Sequence, residues 1–337
     1  MSSAAQQHVS ELINGFWAAQ VINAAVSLNL PDHLAAGPMN ATELAGAAQA
    51  HAPSLARLMR AMVTLGLCTA GADGRFALTE AGGFLRADAP GSVRGRALFT
   101  GDMLWKQFGD LAQQVKTGGR TGAVISGAEG FAALAGDPPR LHAFQQAMAE
   151  SSTVAAHDAI KVYDFGRFSR VLDLGGGYGG VLGVLLGAYP DQTGVVCDLG
   201  YLQEGAAAYL AQAGVADRGR FMAGNFFEAV PSGFDCILMK FIIHDWGDDD
   251  ALAILRGARK AADASATLVL LEQVVPDALG QTAQDQAVIR GDLTMMGMGG
   301  KERTAEEYRA LLAESGWRLA GITPSAASFS VIEALPA

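Results

Sequence analysis

Basic charge is scarce in this chain of 337 residues. It has 24 lysines and arginines against 34 aspartates and glutamates, which gives a net charge of −10. Proteins that wrap nucleic acid or bind anionic membranes need basic patches, so the balance argues against both kinds of partner. Only 17% of the residues are charged and 50% are hydrophobic, which excludes a disordered chain. At roughly 150 residues per domain, the length indicates about two domains.

Cysteine is also rare. Cys68, Cys197 and Cys236 lie far apart, are odd in number and lack the spacing of a metal site. A disulfide framework is therefore excluded, and we expect a cytoplasmic protein without a bound metal.

A basic leader is missing as well, because the first lysine or arginine is Arg57. The segment Leu12–Pro31 has no charge over 20 residues, which is the length of a membrane span. It nevertheless contains five polar residues that are costly in lipid: Asn14, Gln20, Asn23, Ser27 and Asn29. We predict neither a signal peptide nor a membrane span. The pattern favours a helix that is apolar on more than one face and buried on more than one side.

The first hundred residues have the pattern of a winged helix. Asn40–Glu43 opens a helix with a capping residue and an acidic first turn. Pro53 begins another helix, and Gly66 stands where a helix-ending glycine belongs. Two short strands follow around a tight turn, at Cys68–Thr69 and Arg75–Thr79.

A winged helix either reads DNA or serves as a dimerisation module. Residues 1–100 carry six arginines and six acids, and the would-be recognition helix offers only Arg57 and Arg60. Since DNA readers need several basic phosphate contacts, the composition favours dimerisation. The segment from Val9 to Leu30 has more apolar side chains than one domain can cover, so we expect a homodimer: Val9, Leu12, Ile13, Phe16, Trp17, Val21, Ile22, Val26 and Leu28.

The pattern of residues 98–168 predicts helices that are interrupted at Gly118-Gly119 and at Asp137–Pro139. Most of their large apolar side chains are expected in the core, while some could line a pocket between domains: Trp105, Phe108, Phe144 and Met148. We therefore divide the chain into a dimerisation domain at 1–98, a helical connector at 99–168 and a ligand-binding domain at 169–337.

Strands alternate with helices in the carboxy-terminal half, which predicts an α/β, doubly wound, Rossmann-like parallel sheet. The predicted strands are Arg170–Leu174, Thr193–Asp198, Phe234–Met239 and Ala266–Glu272, with helices near 179–189, 202–213 and 248–262.

The first of these strands leads into a glycine-rich turn. Gly175, Gly177 and Gly180 fit the dinucleotide-binding pattern, and Asp198 ends the next strand, where it can meet a ribose. This spacing alone admits NAD. However, Asp173 places a carboxylate beside the loop, which suits a cationic ligand better than a pyrophosphate. S-adenosylmethionine has a sulfonium and an ammonium and fits this requirement.

Three further residues suggest acid–base chemistry. His244 follows the carboxyl end of a buried strand, where α/β sheets bind ligands and where a histidine can act as a general base. Glu272 ends the next strand and could orient the imidazole, and Glu302 is a second candidate acid. The structural alternatives are a helix-capping histidine and glutamates that are solvated or ion-paired.

A set of motifs then resembles a known family: Asp173-Leu-Gly-Gly-Gly177, Asp198-Leu199, Gly224-Asn-Phe-Phe227, Met239-Lys240, His244-Asp-Trp246, Glu272 and Gly299-Gly-Lys-Glu-Arg-Thr304. Together they are similar to the S-adenosylmethionine-dependent O-methyltransferases of the plant caffeate and hydroxyindole type and their bacterial natural-product relatives. The resemblance covers essentially the whole chain and implies an amino-terminal dimerisation domain.

The resemblance also implies roles for individual residues. His244 would be the base, with Glu272 and Glu302 holding its ring. The cofactor would contact Asp173, Gly175, Gly177, Asp198, Leu199, Asn225, Phe226, Lys240 and Trp246. The substrate would contact Trp105, Phe144, Met148, Asp292, Met295 and Met296. Asn225, Tyr178 and Gly200 depart from the family's usual aspartate, threonine or serine, and proline.

The expected activity is methyl transfer from S-adenosylmethionine, with S-adenosylhomocysteine as product, to a hydroxyl of a small aromatic or polyketide-like molecule. An N- or C-methyltransferase, or a relative that binds the cofactor without methyl transfer, remains an alternative. A metabolite-sensing winged-helix regulator is disfavoured by the neutral first hundred residues, and a nicotinamide dehydrogenase by Asp173. The sequence does not identify the acceptor, since a fold does not determine a substrate.

Overall fold

The computed structural model describes residues 3–118 and 135–337, without the side chains of residues 138–140 and 143. The chain divides into two compact units, Met1–Lys106 and Gln107–Ala337. The predicted domain limits at residues 98 and 168 stay predictions.

The first unit is mainly helical. Its helices are α1 (Ala4–Asn14), α2 (Phe16–Ser27), α3 (Leu30–Ala35), α4 (Ala41–Ala47), α5 (Ala52–Thr64), α6 (Glu80–Gly83) and α7 (Arg94–Phe99), followed by a π-helix at Thr100–Leu104. Three short strands form an antiparallel sheet in the order β1-β3-β2: β1 (Met39–Asn40), β2 (Cys68–Ala70) and β3 (Arg75–Leu78).

The local signals in this unit are confirmed. The side chain of Asn40 accepts hydrogen bonds from the backbone of Thr42 and Glu43 at 2.9 Å, and Glu43 accepts one from the backbone of Asn40 at 3.0 Å. This reciprocal capping box satisfies donors that would otherwise be unpaired at the start of α4. Gly66, just after α5, has a φ of +71°, a conformation that glycine adopts without steric cost. The predicted hairpin follows as β2 and β3.

The amino-terminal apolar segment is buried only at its end. Ala25 and Val26 in α2 and Leu30 in α3 are fully buried, but no residue of α1 is. Five large apolar side chains of this segment are exposed in the single chain: Val9, Leu12, Ile13, Phe16 and Trp17. The single chain therefore leaves residues 9–17 uncovered, and their expected burial against a second subunit stays a prediction.

The second unit is built on a seven-stranded sheet with the order β11-β12-β8-β7-β4-β5-β6. The predicted strands are confirmed as β4 (Arg170–Leu174), β5 (Thr193–Asp198), β7 (Cys236–Lys240) and β8 (Thr267–Glu272), and all of these pair in parallel. Alternate residues of β4 face opposite sides: Leu172 and Leu174 pack in one hydrophobic cluster and Val171 in another. Burial on both faces explains why apolar residues occupy adjacent positions, Val171 and Leu172, instead of alternating with polar ones.

Helices cover both faces of this sheet, as a doubly wound fold requires. In chain order the helices of this unit are α8 (Trp105–Gly109), whose first two residues belong to the first unit, α9 (Leu111–Thr117), α10 (Pro138–Val162), α11 (Gly180–Ala188), α12 (Gln203–Gln212), α13 (Asp248–Ala261), α14 (Ala283–Met298) and α15 (Ala305–Glu314). Short 3-10 turns lie at Phe165–Arg167, Gly200–Leu202 and Ile243–Asp245. Gly118 ends α9 as predicted, while Gly119 lies outside the described residues.

Three strands of the sheet were not predicted. β6 (Gly219–Ala223) is a largely exposed edge strand without an apolar run. β11 (Trp317–Pro324) and β12 (Ser330–Pro336) pair antiparallel with each other, and β12 pairs antiparallel with β8. The sheet is therefore mixed, and the expectation of a wholly parallel sheet is wrong at this edge. Two short strands, β9 (Val274–Val275) and β10 (Arg303–Thr304), form a separate parallel pair.

Among the described residues, no helix combines the length and hydropathy that crossing a bilayer requires.

Candidate active site

A cavity of about 360 Å³ opens at the carboxyl ends of β4, β5 and β7. Parallel strands bring their end residues together at this edge, which is where open α/β sheets bind ligands. All nine residues predicted to bind the cofactor line it: Asp173, Gly175, Gly177, Asp198, Leu199, Asn225, Phe226, Lys240 and Trp246. Phe144 and Met148, predicted to bind the substrate, line it as well.

The glycine-rich turn shapes one wall of the cavity. Gly175 and Gly177 have φ values of +74° and +57°, which residues with a Cβ adopt only at a cost. A Cβ on Gly180 would lie 2.8 Å from the carbonyl oxygen of Ala149, so this turn packs tightly against α10. Since α10 also carries Phe144 and Met148, the close approach brings these side chains to the cavity.

Asp173 is a buried carboxylate without a hydrogen-bond partner among the described residues. Its side chain is at the cavity wall, the residue is 1% exposed, and neither carboxylate oxygen is paired. Burial raises the pKa of Asp173 to about 7 and nearby Asp198 adds to the increase, while the backbone of Leu182 and the ammonium of Lys240 oppose it. An unpaired buried carboxylate is costly, so this position favours a ligand that brings a positive charge or a hydrogen-bond donor.

Asp198 connects two strand ends. Its Oδ2 accepts a hydrogen bond from the backbone of Gly177 and its Oδ1 accepts one from the backbone of Leu199, both at 2.7 Å. Burial raises the pKa of Asp198, and these two hydrogen bonds lower it. Each carboxylate oxygen can accept a further bond, so the side chain is held in one orientation with acceptors left for a ligand.

Aromatic side chains form another part of the cavity wall. The ring of Trp246 makes edge contacts with Phe226 and Phe227, with centroids 6.0 and 4.7 Å away. Asn225 shapes the turn that presents them, because its Oδ1 accepts a hydrogen bond from the backbone of Phe227 at 3.0 Å. Its Nδ2 donates to Glu228 at 3.0 Å. The side chain is thus already engaged in the local turn.

Phe241 adopts an unusual backbone conformation at the end of β7. Its φ is +55°, which is rare for a bulky side chain and costs roughly 1–3 kcal/mol. The ring lies 4.1 Å from the ammonium of Lys240 and 5.1 Å from the ring of His244. Backbone strain such as that at Phe241 is typical of functional sites.

Burial lowers the pKa of Lys240 to about 8, although the negative charges of Glu272, Asp245 and Asp173 oppose this decrease.

His244 lies in the 3-10 turn after β7, as predicted from its place beyond the strand. Its Nδ1 is 2.8 Å from Oε1 of Glu302 and 3.9 Å from Oε2 of Glu272. Its Nε2 is 3.5 Å from Oδ1 of Asp245, which lines the cavity. The structure therefore brings the three predicted catalytic residues together, with Glu302 as the hydrogen-bond partner of the ring.

The charges around His244 favour its protonated form. Burial alone would lower the pKa of His244, but Glu302, Glu272 and Asp245 outweigh it and raise the pKa to about 10. In Glu272, burial raises the pKa to about 7. Nδ1 and one oxygen from each glutamate lie within 4.8 Å of one another, a donor set that can also hold a metal ion. The absence of a metal remains an expectation.

Some predicted residues lie elsewhere. His244 is 7% exposed and is not itself among the cavity-lining residues, unlike its neighbour Asp245. Asp292 accepts a hydrogen bond from the backbone of Glu302 at 3.0 Å, and neither it nor Met295 and Met296 lines the cavity. Trp105 belongs to the first unit, where its ring is 6.5 Å from Phe16. Substrate contacts of these four residues stay predictions.

Sequence reasoning missed several residues of the cavity wall: Gln145, Ala149, Ser152, Val181, Tyr201, Leu202, Phe241, Ile242 and Asp245. Asp245 belongs to the His244-Asp-Trp246 motif, so the sequence could have indicated it as a residue of the cavity wall. Ser152 lies one helical turn from Met148 on α10, a spacing that places both on one face. Nothing in the sequence pattern signals the positive φ of Phe241.

Comparisons with known proteins identify matching families along most of the chain. Residues 108–318 match the O-methyltransferase domain, and residues 10–88 match the O-methyltransferase dimerisation domain. The chain is 33% identical to the phenazine O-methyltransferase PhzM of Lysobacter antibioticus over 327 residues, covering 97% of this chain and 95% of the relative.

Two further relatives differ in what they methylate. The crystal structure of NcsB1, an O-methyltransferase from neocarzinostatin biosynthesis, contains S-adenosylmethionine and 2-hydroxy-5-methyl naphthoic acid; it has a TM-score of 0.78 and 30% identity, covering 95% of this chain and 96% of that one. An 8-amino-8-demethylriboflavin N,N-dimethyltransferase of Streptomyces davaonensis is 32% identical, covering 93% of this chain and 90% of the relative.

The charge of His244 can be tested without a ligand. The pKa of His244 in the folded protein is raised above its ordinary value of 6.5. The contacts of His244 with the carboxylates therefore contribute their full stabilisation of the fold below about pH 6.5, and this contribution is lost as the pH rises through about 10. We expect NMR titration of the imidazole to show a protonated ring at pH 8. Glu302→Gln should lower this pKa by at least about one unit.

Glu306→Gln, which changes an exposed glutamate, is the matched control. A ring that titrates near 6.5 in the unaltered protein would contradict the assignment.

Proposed function

The chain belongs to the O-methyltransferase family, and on this premise we propose that it transfers a methyl group from S-adenosylmethionine to a hydroxyl group of a small aromatic molecule, with His244 as the general base. The pairing of His244 with Glu302 beside the cavity supports this most directly, because hydroxyl methylation needs a proton acceptor.

The residues of the cavity fit the proposed cofactor. Asp173 offers two unpaired buried oxygens, which suit a cationic ligand such as one with an ammonium group. A pyrophosphate would instead bring negative charge to this carboxylate. S-adenosylmethionine, when bound, supplies a methyl group activated by its sulfonium. The unpaired carboxylate therefore supports this cofactor over a nicotinamide dinucleotide.

We assign the other predicted cofactor residues to parts of this ligand. Asp198 holds the ribose hydroxyls, since both of its oxygens are fixed and can accept further bonds. Gly175, Gly177 and Leu199 contribute backbone around it. Phe226 and Trp246 pack on the adenine, Oδ1 of Asn225 uses its second lone pair to accept at the adenine edge, and Lys240 also lines the cavity.

In the proposed reaction, Nε2 of neutral His244 takes the proton of the acceptor hydroxyl. Glu302 holds the ring through Nδ1 and stabilises the imidazolium that results, as a carboxylate does in a catalytic triad. The raised pKa of His244 makes it a stronger proton acceptor, and it also keeps the neutral fraction small near pH 7. Turnover should therefore increase with pH above neutrality.

The aromatic lining supports an aromatic acceptor. Phe144, Met148 and Phe241 line the cavity, and flat apolar ligands pack well against such side chains. The phenazine and naphthoate named for two relatives are flat aromatic molecules as well. We propose the same chemical class for this protein.

We also propose that the protein is a homodimer. The dimerisation domain spans residues 10–88, and it contains four exposed apolar residues of α1 and α2: Leu12, Ile13, Phe16 and Trp17. Leu12 and Ile13 are each 67% exposed in the single chain. Contiguous apolar surface of this kind favours a protein partner, and a second copy provides one.

A cytoplasmic location is proposed from the thiols. Cys68, Cys197 and Cys236 are all free and buried. Unpaired cysteines in this number suit a reducing compartment.

The activity is tested by incubating the protein with methyl-labelled S-adenosylmethionine and a panel of phenols, naphthols and hydroxyphenazines, with arylamines as a second arm. We expect label on hydroxyl oxygen of at least one acceptor. Labelling of the arylamines alone would replace O-methylation by N-methylation, which the riboflavin-type relative makes a specific alternative. No labelled product and no cofactor binding would contradict the proposal.

His244→Gln should reduce turnover of a labelled acceptor at least about 100-fold, because a positioned base contributes about 10²–10⁴-fold. Affinity for S-adenosylhomocysteine should stay within a few-fold, as His244 does not line the cavity. His157→Gln, at an exposed position, is the control. Near-normal turnover in His244→Gln would exclude the histidine as base.

Binding of the cofactor should be linked to pH through Asp173. With a pKa of about 7 in the free protein, the carboxylate must lose its proton to pair with a cation, so affinity should rise as the pH increases through 7. Asp173→Asn should weaken binding by roughly 1.5–3 kcal/mol and flatten this dependence. Calorimetry of both proteins, with the exposed Asp191→Asn as control, measures the effect. Equal affinity and equal pH dependence would refute the role of Asp173.

The full chain should sediment at about twice 34.9 kDa at micromolar concentration. Leu12→Asp combined with Ile13→Asp places charge on the exposed apolar face and should yield monomers or aggregates. Leu279→Asp changes a similarly exposed apolar residue in the second unit and should leave the dimer intact. A well-behaved 34.9 kDa monomer of the unaltered chain would contradict the dimer.

A further inference from the structure

The short loop that carries His244 is held by a separate segment of the chain. We call residues 242–246 the base loop. The backbone of Lys301 donates a hydrogen bond to the carbonyl oxygen of His244 at 2.9 Å. Glu302, the next residue, holds the ring of His244 at 2.8 Å. A Cβ on Gly300 would lie 1.9 Å from the same carbonyl oxygen, so the two segments are in direct contact.

Arg303 completes this contact from a fully buried position. Its exposure is 0%, and its side chain is among the largest that are fully buried. One terminal nitrogen donates to the carbonyl oxygen of Ile243 at 2.8 Å and the other to that of Trp246 at 2.9 Å. Nε and the second nitrogen also donate to Oδ1 of Asp248, at 3.1 and 2.8 Å. The guanidinium therefore bridges both ends of the turn that contains His244.

Glu272 holds the same loop from its N–H side. Its Oε1 accepts hydrogen bonds from the backbone of Ile242 at 3.0 Å and of Ile243 at 2.8 Å. Its other oxygen is 3.9 Å from Nδ1 of His244, which is beyond hydrogen-bond distance. The nearest contacts of Glu272 are thus to the backbone of the base loop rather than to the imidazole.

From these contacts we infer that Arg303 is a positioning residue for His244, and that Arg303 and Glu272 clamp the base loop through its backbone while Glu302 alone holds the ring. The catalytic meaning of the clamp rests on the proposed function, in which His244 is the base. The clamp fixes where Nε2 lies relative to the cavity, and misplacement of about 1 Å can cost 10²-fold in rate.

The geometry requires an arginine. Two carbonyl oxygens on either side of His244 and one carboxylate are contacted at the same time, which a planar fork with five donors can do. A lysine ammonium is a single point of charge on a flexible stem, so it cannot span both carbonyls. The carboxylate of Asp248 is 56% exposed and contributes the outer end of this contact.

The test compares Arg303→Lys with Arg256→Lys. Arg256 lies on α13 and pairs with Glu314 at the surface, so its substitution controls for loss of a guanidinium. The first readout is the NMR signal of the Nδ1 proton of His244, which reports its hydrogen bond to Glu302 without any turnover. The others are kcat with a labelled acceptor and affinity for S-adenosylhomocysteine.

For Arg303→Lys we expect a shifted or lost Nδ1 signal and a kcat that is about 10- to 100-fold lower. Affinity for S-adenosylhomocysteine should change by less than about threefold, since Arg303 does not line the cavity. Arg256→Lys should match the unaltered protein in all three. A folded Arg303→Lys protein with an unchanged Nδ1 signal and unchanged kcat would overturn the inference.

A second variant decides the matter if Arg303→Lys does not fold. Asp248→Ala removes the exposed partner of Arg303, and should change the Nδ1 signal in the same direction with a smaller loss of kcat. An unchanged signal would overturn the clamp. A shifted signal with undiminished turnover would support the clamp and refute His244 as base, so the two proposals fail separately.

Discussion

The arrangement of this site depends on one buried ion pair, the contact between His244 and Glu302. Both residues are almost inaccessible, at 7% and 4% exposure, and removing two charged groups from water is costly unless each finds a partner. The pair is tolerated because backbone groups hold the loop around it: Glu272 accepts two N–H groups and Arg303 donates to two carbonyls. The result is an imidazole that has one orientation and a strong affinity for a proton.

The topology of the sheet supplies these groups from distant parts of the chain. β4, β7 and β8 are parallel neighbours, so Asp173, Lys240 and Glu272 reach the same edge although nearly a hundred residues separate the first from the last. The strand β12 pairs antiparallel with β8 and keeps it in the interior of the sheet, where Glu272 is fully buried. The segment with Glu302 and Arg303 then pairs with β9, directly after β8.

Much of the site could be predicted because strand-end residues of a parallel sheet converge. Asp198 and Glu272 end buried strands, Asp173 is the last residue but one of β4, and His244 follows β7, so this rule brought them to one edge. Glu302 lies 58 residues from His244; the sequence offered it as a candidate acid, and the family resemblance assigned it to the ring of His244. The backbone clamp by Arg303 and the positive φ of Phe241 arise from packing that local sequence does not encode. Residues 9–17 carry more apolar side chains than one domain can cover, and the single chain leaves them exposed, as that expectation requires.

The central claim is that His244 takes the proton of the acceptor hydroxyl. A crystal structure of the protein with S-adenosylhomocysteine and an acceptor found by the labelling screen would test it most directly. The account predicts the hydroxyl oxygen about 2.6–3.2 Å from Nε2 of His244, or one water molecule away. An acceptor bound with this oxygen far from Nε2, against the wall formed by Phe226 and Trp246, would contradict it.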